Sequence, residues 1–412
     1  MHKLRHAKHL QLLLNYVGPV AAAGSAFAML FALRYEQRNN ELALWLTTNS
    51  YASVIAMLFS FRADYLIAAE SDEEAQETLL KASMVLIITA ALAALATTII
   101  TTADHELRTQ IYCAVGLASS IAIQAPTAGL LASRGKSTEL LTYRLLISSV
   151  YFVCSICVFK SSLAIEEIII LNASACLMVH LYTIRKNVSR LSIAIAELRQ
   201  ATRKMVAMMK MYGLKLTAAD FSSSVTSAVI LTELGKSAQT NAAEYGTFQR
   251  VTQAVPSLLS ASIVERNRHH LLFHHATLAE KEQFRRELLV SAIMVTVATV
   301  ILSAVLKLPM NLYNFLLGPI TAVARLTYAV AALELYRRGW GLYDTVQSAV
   351  GLISALVIIK LTDNLREVHL LIILQLIIIT ISAYTAVVYW KNRYRTEHHQ
   401  ASLYINPEAK GK

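Results

Sequence analysis

The chain runs repeatedly through roughly 20 residues with no charge except at a boundary, the length that crosses the hydrocarbon of a membrane as a helix. Ala82 to Thr102, Leu288 to Leu308 and Leu370 to Trp390 are three such runs, and Gln375 is the one strongly polar side chain in the last. Hydrocarbon offers backbone N–H and C=O groups no water, so a crossing segment must satisfy them within itself, which a helix does. Composition agrees: 55% of the 412 residues are hydrophobic and 16% charged, with a mean hydropathy of +0.47. A net charge of +11 would also suit a nucleic-acid binder. Here, however, the lysines and arginines gather in the connections between apolar runs, where they set topology, so nucleic acid is excluded as a partner.

Twelve spans are expected, at 11–32, 42–68, 82–103, 109–132, 140–160, 162–184, 214–233, 242–264, 288–308, 311–335, 341–361 and 367–391. The fifth and sixth leave room only for a tight hairpin near Lys160. When the connections are sorted alternately, about three times as many lysines and arginines fall on the face that holds both termini as on the other. That face is therefore cytoplasmic, and the chain is expected to be a multi-pass membrane protein with both termini inside. The expected fold class is all-α, a polytopic membrane protein with two sets of six spans, or lobes. The lobes span 1–184 and 214–391, joined by a basic connection at 185–213 and followed by a tail at 392–412. In the connection, Leu191, Ile195 and Leu198 alternate with Arg190, Arg199, Arg203 and Lys204, a pattern that suits a basic amphipathic helix on the inner leaflet or a plain linker. Trp45, Leu58 and Ser60 recur as Tyr245, Leu258 and Ser260 at a constant offset, as a duplicated transporter would show.

An ionisable residue at membrane depth is costly and normally faces a cavity or a partner. The candidates are Arg62, Asp64, Arg144, Lys215, Asp220, Arg250, Arg325 and Glu334. Arg325 is the deepest, about ten residues or more from either end of the tenth span, roughly 15 Å along a helix axis. Arg250 lies about eight residues inside the eighth span and Asp220 about six inside the seventh, some 12 and 9 Å deep. The others lie nearer the inner interface, where long side chains reach headgroups. Lys215 and Asp220 are about 140° apart around one helix, and Arg62 and Asp64 do not face each other, so any pairing crosses between helices or goes to a ligand. Cations outnumber acids in this set, which suits an anionic cargo such as a phosphate or diphosphate, matched by the guanidinium fork.

Other motifs carry less. Cys154 and Cys157 form a CxxC inside an apolar run with no further ligands nearby, unlike a zinc site. His269, His270, His274 and His275 sit in a connection and read as solvated. Ser133 to Thr138 reads SRGKST and lacks the first glycine and the preceding strand of a phosphate loop, so no nucleotide motor and no cofactor are expected.

The end of the second span and the connection after it resemble bacterial polysaccharide (O-antigen type) flippases. Arg62 and Asp64 close the helix and Glu73, Glu74, Ala75 and Leu79 follow, with Ala63 where an aromatic residue is usual. Gly246, Arg250, Val251 and Pro256 resemble the eighth helix of the same family. That family belongs to the multidrug/oligosaccharidyl-lipid/polysaccharide exporter superfamily. The resemblance implies a location in the bacterial inner membrane, two six-helix lobes around a central cationic cavity that opens alternately to each side, a lipid-linked oligosaccharide as cargo, and no covalent chemistry, hence no enzyme. Arg325, Arg250, Asp220, Arg62, Asp64 and Lys215 would form the substrate site. Membrane lipids, a coupling ion (H+ or Na+), and a polysaccharide polymerase with its assembly proteins would be the partners. The rivals are an ion-coupled multidrug antiporter of the same superfamily, which would want acids in its cavity, and a membrane-embedded polymerase or glycosyltransferase, which would want longer outer loops.

Overall fold

The computed structural model describes residues 27–60, 72–160, 163–188, 193–208, 214–237, 239–253, 278–306 and 312–337, with single residues and short stretches elsewhere. The chain is all-α, with no strand among the described residues. We number the helices of the continuous stretches α1 (27–35), α2 (Asn39–Ser60), α3 (Glu73–Thr101), α4 (His105–Ser133), α5 (Ser137–Lys160), α6 (Ile165–Asn187), α7 (Ile195–Met208), α8 (Leu214–Ser237), α9 (239–253), α10 (Leu278–Val305) and α11 (Leu312–Arg337). Spans eleven and twelve are touched only by scattered helical residues such as Gly351 and Ile378. Six helices are long and apolar enough to cross a membrane among the described residues: α2 to α6 and the Arg286–Val305 part of α10. Their outward faces are greasy. Ile100, Leu92 and Ile99 on α3, Met178 and Tyr182 on α6 and Leu289 on α10 are all exposed, a surface that lipid solvates and water would not.

Helices extend beyond the apolar runs because their ends obey other rules than hydropathy. Asp72 accepts a hydrogen bond from the Ala75 backbone N–H at 3.0 Å, and Glu73 and Glu74 follow in the first turn. A carboxylate cap and acids beside the positive helix end both favour a start there, so α3 begins nine residues before the expected span. Its 29 residues reach about 43 Å, longer than the hydrocarbon is thick. Asp104 caps α4 in the same way, accepting from Glu106 N–H at 2.9 Å. The expected hairpin near Lys160 is present, with α5 ending at Lys160 and α6 beginning at Ile165.

Buried side chains show how the halves meet. One apolar cluster joins Leu33, Leu42, Leu46, Cys113, Val158 and Ile168 of the N-terminal half to Leu231, Leu234, Ala242, Tyr245, Phe248 and Leu306 of the C-terminal half. All of it lies toward the end of the bundle that carries the 36–38, 102–104 and 161–164 connections. Toward the opposite end the clusters are separate. Ile67, Leu80, Leu117 and Leu130 pack with Ala201 and Met205 in the N-terminal half, and Val295, Ala322 and Leu326 pack together in the C-terminal half. Among the described residues the apolar weld between the halves lies toward one end, and toward the other Met57 Sδ of α2 meets Ser224 Oγ of α8 at 3.7 Å.

Candidate functional site

The two deep arginines lie in the C-terminal half, on α9 and α11, and both are partly buried. Arg325 Nη1 is fully buried and has no hydrogen-bond partner among the described residues. The guanidinium lies within electrostatic reach of Tyr245, itself wholly buried on α9. Arg250, five residues further along α9, lies within reach of Tyr151 on α5 of the opposite half. No ion pair forms at either guanidinium among the described residues. α9 is therefore the shared wall: one arginine reaches it from α11, and the other leaves it toward the N-terminal half.

The polar residues around these arginines satisfy themselves locally. Thr247 donates to the Ala243 carbonyl at 2.6 Å, Thr252 to the Gln249 carbonyl at 3.2 Å, and Ser227 to Gln249 Oε1 at 2.9 Å. Thr299 on α10 is buried with an unpartnered hydroxyl, its methyl 3.4 Å from where a Cβ on Gly318 of α11 would stand. A charged donor buried without an acceptor costs more than the roughly 1–3 kcal/mol of a neutral one.

The remaining expected site residues stand as follows. Arg62 and Asp64 lie outside the described residues, as do the side chains of Lys215 and Asp220 on α8 and of Glu334 on α11. The loop histidines lie outside as well. Arg144 on α5 is partly buried and has partners of its own. Of the acidic motif, Glu73 and Glu74 sit in the first turn of α3, and Glu73 contributes its carbonyl to a cluster around Arg134.

Arg134 is the residue that sequence reasoning missed. Its side chain is 5% exposed and donates to Gln76 Oε1 and Glu77 Oε1 at 3.3 Å, to the Glu73 carbonyl at 2.8 Å and to the Asn187 carbonyl at 3.2 Å. Lys136 adds a bond to Asn187 Oδ1 at 3.1 Å. The SRGKST stretch is thus a helix end. Gly135 takes φ +64°, the left-handed turn that stops α4, and its neighbours tie three connections together. The available signal was Gly after a helical pattern with cations beside it. A second buried polar group is His180 on α6, whose ring nitrogens meet Tyr143 Oη at 2.7 Å and Ser120 Oγ at 3.3 Å. With both nitrogens engaged inside one half, this is a brace between α4, α5 and α6.

At the welded end the two halves are latched as well as packed. Arg34 Nε donates to the Leu306 carbonyl at 3.1 Å, and its Nη2 lies 3.9 Å from Glu244 Oε1. Gly246 lets α9 approach α2 so closely that a Cβ there would stand 2.7 Å from Leu46 Cδ1 and 3.0 Å from Leu231 Cδ2. Tyr51 on α2 and Thr232 on α8 share a hydrogen bond at 2.7 Å.

No protein-family model and no curated protein matches the chain. Solved structures do match. The fold is similar to "MATE in complex with MaL6" at TM-score 0.55 and 12% identity, covering 94% of this chain and 96% of that one. It is similar to the MATE multidrug transporter DinF-BH, solved with a ligand bound, at TM-score 0.54 and 12% identity, covering 93% and 92%. An outward-facing MATE family transporter of the MOP superfamily matches at TM-score 0.50 and 13% identity, covering 94% and 95%. The chain has the fold of these transporters from end to end.

Proposed function

We propose that the chain is a flippase that carries a polyprenyl-diphosphate-linked oligosaccharide across the bacterial inner membrane for surface polysaccharide assembly. The observation that carries the reading is the buried guanidinium nitrogen of Arg325, which has no hydrogen-bond partner among the described residues. A phosphate or diphosphate supplies the planar acceptors that a guanidinium fork matches, and Arg250 faces the other half with its charge also unpaired among the described residues. The prenyl chain stays in lipid while the polar head passes between the lobes, 1–184 and 214–391. The division of the buried clusters supports rocking of one lobe against the other. With the lysine- and arginine-rich face taken as cytoplasmic, the packed end of the bundle is the outer one and would serve as its outer seal. Asp220, Lys215, Arg62 and Asp64 complete the site, Asp220 as holder of a coupling ion, H+ or Na+. The polymerase that extends the cargo would act next.

A multidrug antiporter is the second reading, favoured by the likeness in fold to DinF-BH, a multidrug transporter. Against it stands the charge of the site, where the deep side chains described are two arginines and no acid. Cells lacking the chain should accumulate lipid-linked oligosaccharide on the inner face of the membrane, and restoring the gene should clear it. A null strain with normal polymer and heightened drug sensitivity would instead assign the antiporter function.

A further inference from the structure

The connection between the halves is a helix with two distinct working faces. Leu198, Ala201 and Met205 of α7 fall on one side and pack on the core of the N-terminal half, with Ser83 Oγ 3.9 Å from Met205 Sδ. Lys204 ion-pairs with Glu70 beside that contact. Of the apolar residues expected to face the inner leaflet, Leu198 is therefore covered by protein and Ile195 is not. About a third of a turn away runs a second stripe. Ile195, Arg199, Arg203 and Val206 fall within an arc of about 80° at 100° per residue, and all four are exposed, Ile195 at 77%. Arg185 and Lys186, exposed at the end of α6, add two more cations. Arg185, Lys186, Arg199 and Arg203 make no ion pair among the described residues.

We infer that this second stripe is a binding surface for anionic phospholipid headgroups of the adjacent leaflet. Three observations argue for lipid over bulk water. α7 starts eight residues after a membrane-spanning helix ends at Asn187, so it lies at the bilayer surface. Its arginines stand between two exposed aliphatic side chains, the arrangement that sits at the boundary of headgroups and acyl chains. Every unpaired charge on the stripe has the sign that complements phosphatidylglycerol. Because α7 is clamped to the N-terminal half, the lipid grips that half, leaving the C-terminal half to move against a membrane-anchored partner. The surface is separate from Arg250 and Arg325 and stands whatever the cargo.

The test is native mass spectrometry of the purified full-length protein, supplied with phosphatidylglycerol or phosphatidylcholine. Phosphatidylglycerol should be retained in preference. Each arginine near an anionic surface contributes about fivefold, so Arg199→Gln with Arg203→Gln should lower retention about 25-fold. Ile195→Ser with Val206→Ser should lower it too without altering charge; if the arginine pair fails to fold, this pair alone decides. Lys236→Gln, at the opposite end, should change nothing. Retention unchanged in both double variants would overturn the inference. So would equal loss in Lys236→Gln, which signals net charge alone, or displacement by inorganic phosphate, which signals a soluble-anion site.

Discussion

Arg325→Met separates a ligand site from a structural ion pair, because the two predict opposite signs for stability. Methionine keeps an unbranched chain of similar length and removes the charge together with the orphaned Nη1. If the guanidinium waits for cargo, its loss relieves the desolvation of an unsatisfied donor, about 1–3 kcal/mol or more. The variant should then unfold at higher temperature than the parent and fail to export polymer, the trade expected at a site kept strained for function. If Arg325 instead paired a buried acid, removing it would strand that acid and cost about 3–5 kcal/mol. Thermal unfolding of the purified protein, membrane abundance and inner-face lipid-linked oligosaccharide should be followed together. A fall in melting temperature, or normal export, would refute the reasoning. Arg325→Lys should keep partial activity, since it preserves the charge and loses the fork.

Gly246→Leu should force α9 off Leu46 and Leu231, costing about 1–3 kcal/mol of overpacking and opening the sealed end; spin labels at Glu36 and Thr240 should report a longer distance. Arg34→Ala should shift the same distance in the same direction, more weakly, since Glu244 is 40% exposed. Arg134→Ala should destabilise the protein by about 3–5 kcal/mol by breaking the buried pair with Glu77 and the bonds to the Glu73 and Asn187 carbonyls, and Arg134→Met with Glu77→Gln should recover part of that loss. Labelling of cysteines introduced at Arg38 and Lys236 should occur from outside, and at Arg203, Arg268 and Arg393 from inside.

Hydropathy reads the thickness of hydrocarbon, so the apolar stretches of α4, α5 and α6 are legible to within a few residues of the helix ends. Where a helix continues into water the reading stops short: α3 starts at Glu73 and α10 at Leu278, among charged residues that no lipid criterion selects. Depth alone picks out Arg250 and Arg325, since no soluble-loop role fits an arginine there. Their neighbours are not legible, because Tyr151 and Tyr245 are brought close only by packing. Gly246 stands out in the sequence as part of a family-like pattern, and its physical reason, the approach of Leu46, needs the structure. Leu198 of α7 belongs to an apolar stripe that periodicity reveals, but what covers it, protein or lipid, is a question of tertiary contact that periodicity does not answer.

The central claim is that an anionic lipid-linked head crosses between the lobes. The most direct test reconstitutes the chain in proteoliposomes with a fluorescent polyprenyl-diphosphate oligosaccharide and follows its access to a quencher on one face. The parent should exchange the lipid between leaflets, and Arg325→Met should not. Movement of a cationic dye against an ion gradient, with the lipid remaining in its original leaflet, would contradict the account.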